Sequence, residues 1–135
     1  MIRGIHRDRR GASAVEFALV APVLLAFILL LVEGGRMLWT QQALQEVASA
    51  TARCMALGAV GCETPAAAES YARARGLDRG VALTGATVTL QTNQTCSGEA
   101  GMVRATIALP FEAAGGLLPG GPAMLDASAC YPLLS

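Results

Sequence analysis

The chain contains no lysine, and all ten of its basic residues are arginine. It has one histidine, His6, and aromatic residues make up only 4% of it. Nucleic acids are held by clustered cationic side chains, and beyond residue 10 the arginines are scattered, so no nucleic-acid partner is expected. Four cysteines occur with no Cys-x-x-Cys pair and no histidine downstream, which argues against a zinc site; no metal ligand and no cofactor are expected. The stretch 11–135 also lacks histidine altogether and has no carboxylate spacing suited to a paired acid and base. Ser-His and Cys-His catalysis are therefore out of reach, and the chain reads as a non-enzyme. Ser13, in Gly-Ala-Ser-Ala-Val, lacks the second glycine of a nucleophile elbow.

What the chain does have is an apolar run. From Phe17 to Val32, sixteen consecutive residues carry no charge and no polar side chain, bounded by Glu16 and Glu33. Sixteen helical residues rise about 24 Å, short of the roughly 30 Å hydrocarbon layer. A membrane span must therefore take in residues 12–15 and carry Glu16 to the edge of the apolar layer. A carboxylate placed there costs on the order of 1–3 kcal/mol and marks a functional position. Arg3, Arg7, Arg9 and Arg10 stand against Asp8 before the span, whereas Arg36 beyond it is accompanied by Glu33. The positive-inside rule places the amino terminus in the cytoplasm and residues after about 36 outside. A secretory signal has a shorter apolar region and a small-x-small cleavage site, and Glu-Gly-Gly-Arg-Met-Leu-Trp after Val32 offers neither. Met37, Leu38 and Trp39 fall where an interfacial belt is expected.

Beyond the span, Leu44, Val47, Ala48 and Thr51 recur at helical spacing, with Met55 following and Gly58 and Gly61 ending the pattern. A helix over 12–57 would be about 69 Å long if uninterrupted, apolar all round in its first half and one-faced in its second. Pro22 and Gly34-Gly35 are the positions where it would bend. A second helix is expected from Thr64 as N-cap and Pro65 at the first position, through 66–75, to a stop at Gly76. Its Arg73 and Arg75, with Arg79 beyond, read as solvated charges. The period then changes to two. Val88 and Leu90 alternate in 86–92, and Val103, Ala105, Ile107 and Leu109 in 102–109, with turn residues at 97–101 between. Gly115-Gly-Leu-Leu-Pro-Gly-Gly-Pro122 breaks structure, and 124–131 returns as a third strand. The fold class expected is α+β: a long amino-terminal transmembrane helix continuing as an amphipathic spine packed on a small antiparallel sheet.

With residues after 36 outside, Cys54, Cys62, Cys96 and Cys130 face an oxidising compartment. Three pairings of four cysteines are possible and the sequence leaves them open. The preferred one joins Cys54 to Cys62 in a short local bridge and Cys96 to Cys130 between a strand and the tail. Small domains often need such staples.

Gly11-Ala-Ser-Ala-Val-Glu16-Phe17 resembles the processing site of prepilins and pseudopilins of tight-adherence (Flp) pilus systems. The longer pattern, Arg10-Gly11, Ala14-Val15-Glu16-Phe17-Ala18-Leu19, Pro22, Leu24-Leu25, Glu33-Gly34-Gly35-Arg36 and Gln42-Ala43, resembles the TadE-like minor pseudopilins. Gly34 departs from the bulky apolar residue of that family. The resemblance implies a pilin-like fold and an assembly, priming or regulatory function in the pilus. It implies cleavage after Gly11 by a prepilin peptidase, leaving Ala12 as the new amino terminus and Glu16 and Phe17 as processing and assembly positions. The expected organisation is a basic leader at 1–11, a transmembrane helix and its extension at 12–57, and a disulfide-stapled periplasmic domain at 58–135. Expected partners are the peptidase, other pseudopilins or pilins, the inner-membrane assembly platform and the lipid bilayer; the bacterial inner membrane is the expected location, with incorporation into the pilus open. A competing reading is an uncleaved single-pass protein that displays an envelope binding domain. The major pilin is disfavoured, because about 100 residues follow the span and the resemblance implies that Flp pilins are little more than the helix.

Overall fold

A computed structural model of the full chain describes residues 9–113 and 120–133. Its elements run α1 (Arg9–Ala56), α2 (Pro65–Asp78), β1 (Thr87–Cys96), β2 (Glu99–Pro110) and β3 (Met124–Pro132). The expected α+β class is what these elements form: a long apolar amino-terminal helix followed by a three-stranded antiparallel sheet in the order β1-β2-β3. The chain divides into two compact units, Met1–Arg36 and Met37–Ser135, so α1 contributes to both. Most of the leader and residues 115–119 of the structure-breaking stretch lie outside the described residues.

The first unit is helical from Arg9 onward, and the helix assignment runs unbroken through Pro22 and Gly34-Gly35. Its large apolar side chains from Val15 to Val32 are exposed, as lipid-facing side chains would be. At its end Arg36 donates to Glu33 across 2.9 Å, one turn apart.

In the second unit the period of α1 becomes one-faced. Leu44, Val47, Ala48 and Thr51 are buried, joined by Ala43, Ala52 and Ala56. Thr51 keeps its hydroxyl satisfied by donating to the Val47 carbonyl at 2.7 Å. Met55 is half-buried only. The face of the sheet that meets this stripe is set by register. Val88, Ile107 and Ala127 lie side by side across the three strands, and Leu90, Ala105 and Ala129 form the next row. Ala43, Leu44, Val47 and Ala48 pack with Ile107, Leu109, Phe111, Leu125 and Ala127 in one core.

Four details depart from the sequence reading. α2 starts as expected, with Thr64 Oγ1 accepting from Ala67 N at 3.2 Å, but it passes through Gly76 and ends at Asp78. Gly76 is glycine because a Cβ there would lie 2.8 Å from the Val81 carbonyl oxygen and 2.9 Å from Leu83 Cγ. Gly80, at φ +73°, makes the turn instead. The β1–β2 connection is a two-residue turn at Ser97-Gly98 (φ 52° and 90°), so 99–101 belong to β2. Both turn residues are left-handed, as a tight hairpin requires. Arg73 is also no merely solvated charge: it donates to Glu69 and to the Leu83 and Ala86 carbonyls, fastening the 81–86 connection to α2. Arg75 lies 3.9 Å from Asp78 and Arg79 lies 2.7 Å from Glu46, so these cations also have acidic neighbours.

Gly76→Ala gains helix propensity worth about 1 kcal/mol but drives its Cβ into backbone, an overpacking cost of about 1–3 kcal/mol. Net destabilisation is expected, read as a lower urea midpoint for the detergent-solubilised chain; an unchanged or higher midpoint would contradict the close approach.

Candidate functional site

The processing motif stands at the head of α1. Gly11 and Ala12 lie in its first turns, with no heavy atom within 4 Å of a Cβ built on Gly11. Glu16 and Phe17 follow one turn later, and both are exposed. In the sequence the Gly11–Ala12 bond lies between Arg10 and the small residues Ser13 and Ala14, and the glycine lets a protease cleft approach the backbone closely. The apolar run that begins at Phe17 makes α1 the one helix among the described residues long and apolar enough to cross a membrane.

The second unit is closed by two disulfides. Cys54, in the last turn of α1, bonds Cys62 across 2.06 Å, fixing the Gly58 and Gly61 connection just before α2. Cys96, at the end of β1, bonds Cys130 in β3 with Cα atoms 6.5 Å apart. That second bridge is a geometric constraint on the sheet. Cys130 pairs with Arg104 on β2, whereas Cys96 pairs with Glu99, five residues along the same strand. In a flat sheet the two cysteines would be about 19 Å apart, two strand spacings across and five residues along. The hairpin tip is therefore folded back over the outer face of the sheet. The irregular register between Gln91 and Cys96, with Asn93 at φ 55°, supplies the bend. Arg104 holds the folded tip by donating to the Thr95 carbonyl at 3.2 Å and approaching Cys96 Sγ at 3.4 Å.

Two further residues escaped sequence reasoning. Gln41 Nε2 donates to the Asp126 carbonyl at 2.6 Å and Gln45 Nε2 to the Ser128 carbonyl at 3.0 Å. Glutamines one turn apart on α1 thus occupy acceptors along the open edge of β3, which would otherwise be available for pairing with another strand. Their spacing is visible in the sequence, but the acceptors are backbone groups some 80 residues away and leave no trace in residue types.

By length and composition, then, the chain is of the class that joins a potential membrane-spanning helix to a small disulfide-closed α+β unit. Residues 11–53 match the sequence model of the family described as TadE-like protein, the family that the amino-terminal pattern resembles. That family is associated with the Tad pilus and is structural rather than catalytic. No curated protein and no solved structure matches the chain.

The chain-entropy account assigns about 2.5 kcal/mol to the Cys54–Cys62 bridge, which spans 8 residues, and about 4 kcal/mol to Cys96–Cys130, which spans 34. Cys96→Ala/Cys130→Ala is accordingly expected to lower the urea midpoint more than Cys54→Ala/Cys62→Ala. The reverse order would show that the tip does not need its bridge.

Proposed function

We propose that this chain is a minor pseudopilin of a tight-adherence pilus, cleaved after Gly11 by a prepilin peptidase and held in the inner membrane with its disulfide-closed unit in the periplasm. The observation that carries the reading is the coupling of Gly11, Glu16 and Phe17 to an apolar, exposed helix within the stretch matching the TadE-like family. Glycine weakens a helix by about 1 kcal/mol relative to alanine, which favours local opening of the backbone at the cleavage bond. Cleavage removes four arginines and one aspartate and leaves six arginines against nine carboxylates, a side-chain net of −3. It also creates an α-ammonium at Ala12.

That ammonium gives Glu16 a partner. Within one chain the two lie about 6 Å apart along the helix axis, whereas a neighbouring subunit displaced by one turn would bring its ammonium level with the carboxylate. A pair about 4 Å apart at an effective dielectric near 20 attracts by roughly 4 kcal/mol before desolvation is counted. Glu16 thereby sets the axial register between packed pilin-like helices. The role is assembly, priming or regulation, with other pilins or pseudopilins and the inner-membrane platform as partners, and the chain is a substrate of the peptidase, not an enzyme.

Two measurements test this. Amino-terminal sequencing of membrane-extracted protein should give Ala12 when an active prepilin peptidase is present and Met1 when it is inactivated; Met1 in both would favour the uncleaved, membrane-anchored binding domain. Glu16→Ala should be cut normally yet lose most of its incorporation into the pilus apparatus. Undiminished incorporation would remove the register role.

A further inference from the structure

We propose that the Cys96–Cys130 bridge is a thiol-exchange site, opened in the folded unit by a dithiol that attacks Cys130 while Arg104 receives Cys96 as the departing thiolate. The two sulfurs are unequal. Cys96 is 7% exposed, whereas Cys130 is only half-buried, and both line a groove shared with Glu99, Met102 and Arg104. A thiolate arriving through that groove meets Cys130 Sγ as the accessible sulfur, which makes Cys96 Sγ the leaving group. Burial by itself would make Cys96 a poor one, since an apolar surround raises a thiol's pKa. Arg104 counters this. Its Nη2 lies 3.4 Å from Cys96 Sγ and donates to the Thr95 carbonyl at 3.2 Å, so the guanidinium is held against the sulfur on which charge develops. Arginine stays ionised throughout and hydrogen-bonds an anion more strongly than a neutral acceptor. Glu99 lines the same groove with a charge of opposite effect, but it is the guanidinium that reaches the sulfur.

The exchange runs in two displacements. A thiolate of the dithiol bonds Cys130 Sγ as the Cys96–Cys130 bond breaks, and the electron pair leaves on Cys96 Sγ beside Arg104. The second thiol of the reagent, deprotonated in turn, then displaces Cys130 Sγ and closes the reagent's own disulfide. Two electrons pass from the dithiol to the bridge, and the two protons its thiols release are taken up, through solvent, by the cysteine thiolates. Opening removes the link that folds the Ser97-Gly98 tip over the outer face of the sheet, so the tip is released. It is the rate of opening in the folded unit, not the stability the bridge confers, that the guanidinium raises. The other bridge is the internal reference, with Cys54 half-buried and Cys62 wholly buried.

Kinetic mapping of reduction tests the proposal. The full, oxidised chain in detergent is treated with dithiothreitol at neutral pH, quenched in acid at intervals, alkylated and mapped by peptide mass. The Cys96–Cys130 pair should open before the Cys54–Cys62 pair; the opposite order overturns the proposal. A one-unit change in thiol pKa alters exchange rates about threefold at a Brønsted sensitivity near 0.5. Arg104→Gln should therefore slow opening of Cys96–Cys130 about threefold and leave Cys54–Cys62 unchanged, while Arg104→Lys keeps most of the native rate. Were Arg104 only a clasp for the hairpin tip, its loss would loosen the tip and speed opening, so an equal or faster rate in Arg104→Gln overturns the proposal. A second measurement needs no variant: brief treatment of the native chain with glutathione, trapped in acid, should leave the mixed disulfide on Cys130. An adduct chiefly on Cys96 overturns the assignment of the leaving sulfur and the role of Arg104 with it.

Discussion

The interaction on which the second unit depends is the burial of one stripe of α1 against one face of the sheet. A sheet that is apolar on one face must bury that face against another element. Leu44, Val47 and Ala48 supply the missing layer, and Ile107, at the centre of the middle strand, is wholly buried by it. Gln41 and Gln45 then use the polar flank of the same stripe to cover the open edge of β3. One helix thus acts as core on one face and as edge protection beside it. The same helix, read toward its amino terminus, loses its polar face and becomes uniformly apolar over 17–32. Among the described residues, the large apolar side chains of that stretch are exposed.

Much of this was legible in the residues. Helical spacing from Leu44 to Thr51 and alternation from Val103 to Leu109 are strong local signals, because each records one buried face repeated over several turns or pleats. Thr64-Pro65 announced the start of α2 through capping chemistry that involves only neighbours. The misreadings share a cause in contacts distant along the chain or in backbone. Gly76 looked like a stop, but it is held inside a helix by the approach of Val81 and Leu83. Arg73 looked solvated, since the carbonyls it binds belong to a connection with no distinguishing residue type. The composition of 97–101 suggests a wider turn than the chain makes, because Gly101, also at positive φ, is a turn-type residue that sits in β2.

The disulfides fit a small unit that follows a helix long and apolar enough to cross a membrane. The local bridge fixes the path from α1 to α2, and the long one folds the hairpin tip over the outer face of the sheet. Without the bulged register of β1 that second bridge has no route, so sheet irregularity and cysteine position belong to one constraint. The candidate processing motif, in contrast, depends on no tertiary contact at all. It is a property of sequence and helix, which is why Gly11, Glu16 and Phe17 could be singled out before any fold was known.

On the proposed topology, α1 leaves the membrane on its oxidising side and there becomes part of the core of a disulfide-closed unit. Acid-quenched cells, alkylated under denaturing conditions without reductant and analysed by intact mass, test it most directly. The account predicts no alkylated cysteine in otherwise normal cells and four in cells lacking the envelope disulfide-forming machinery. Four alkylated cysteines in normal cells would place residues 37–135 in a reducing compartment and contradict the topology on which the functional reading stands.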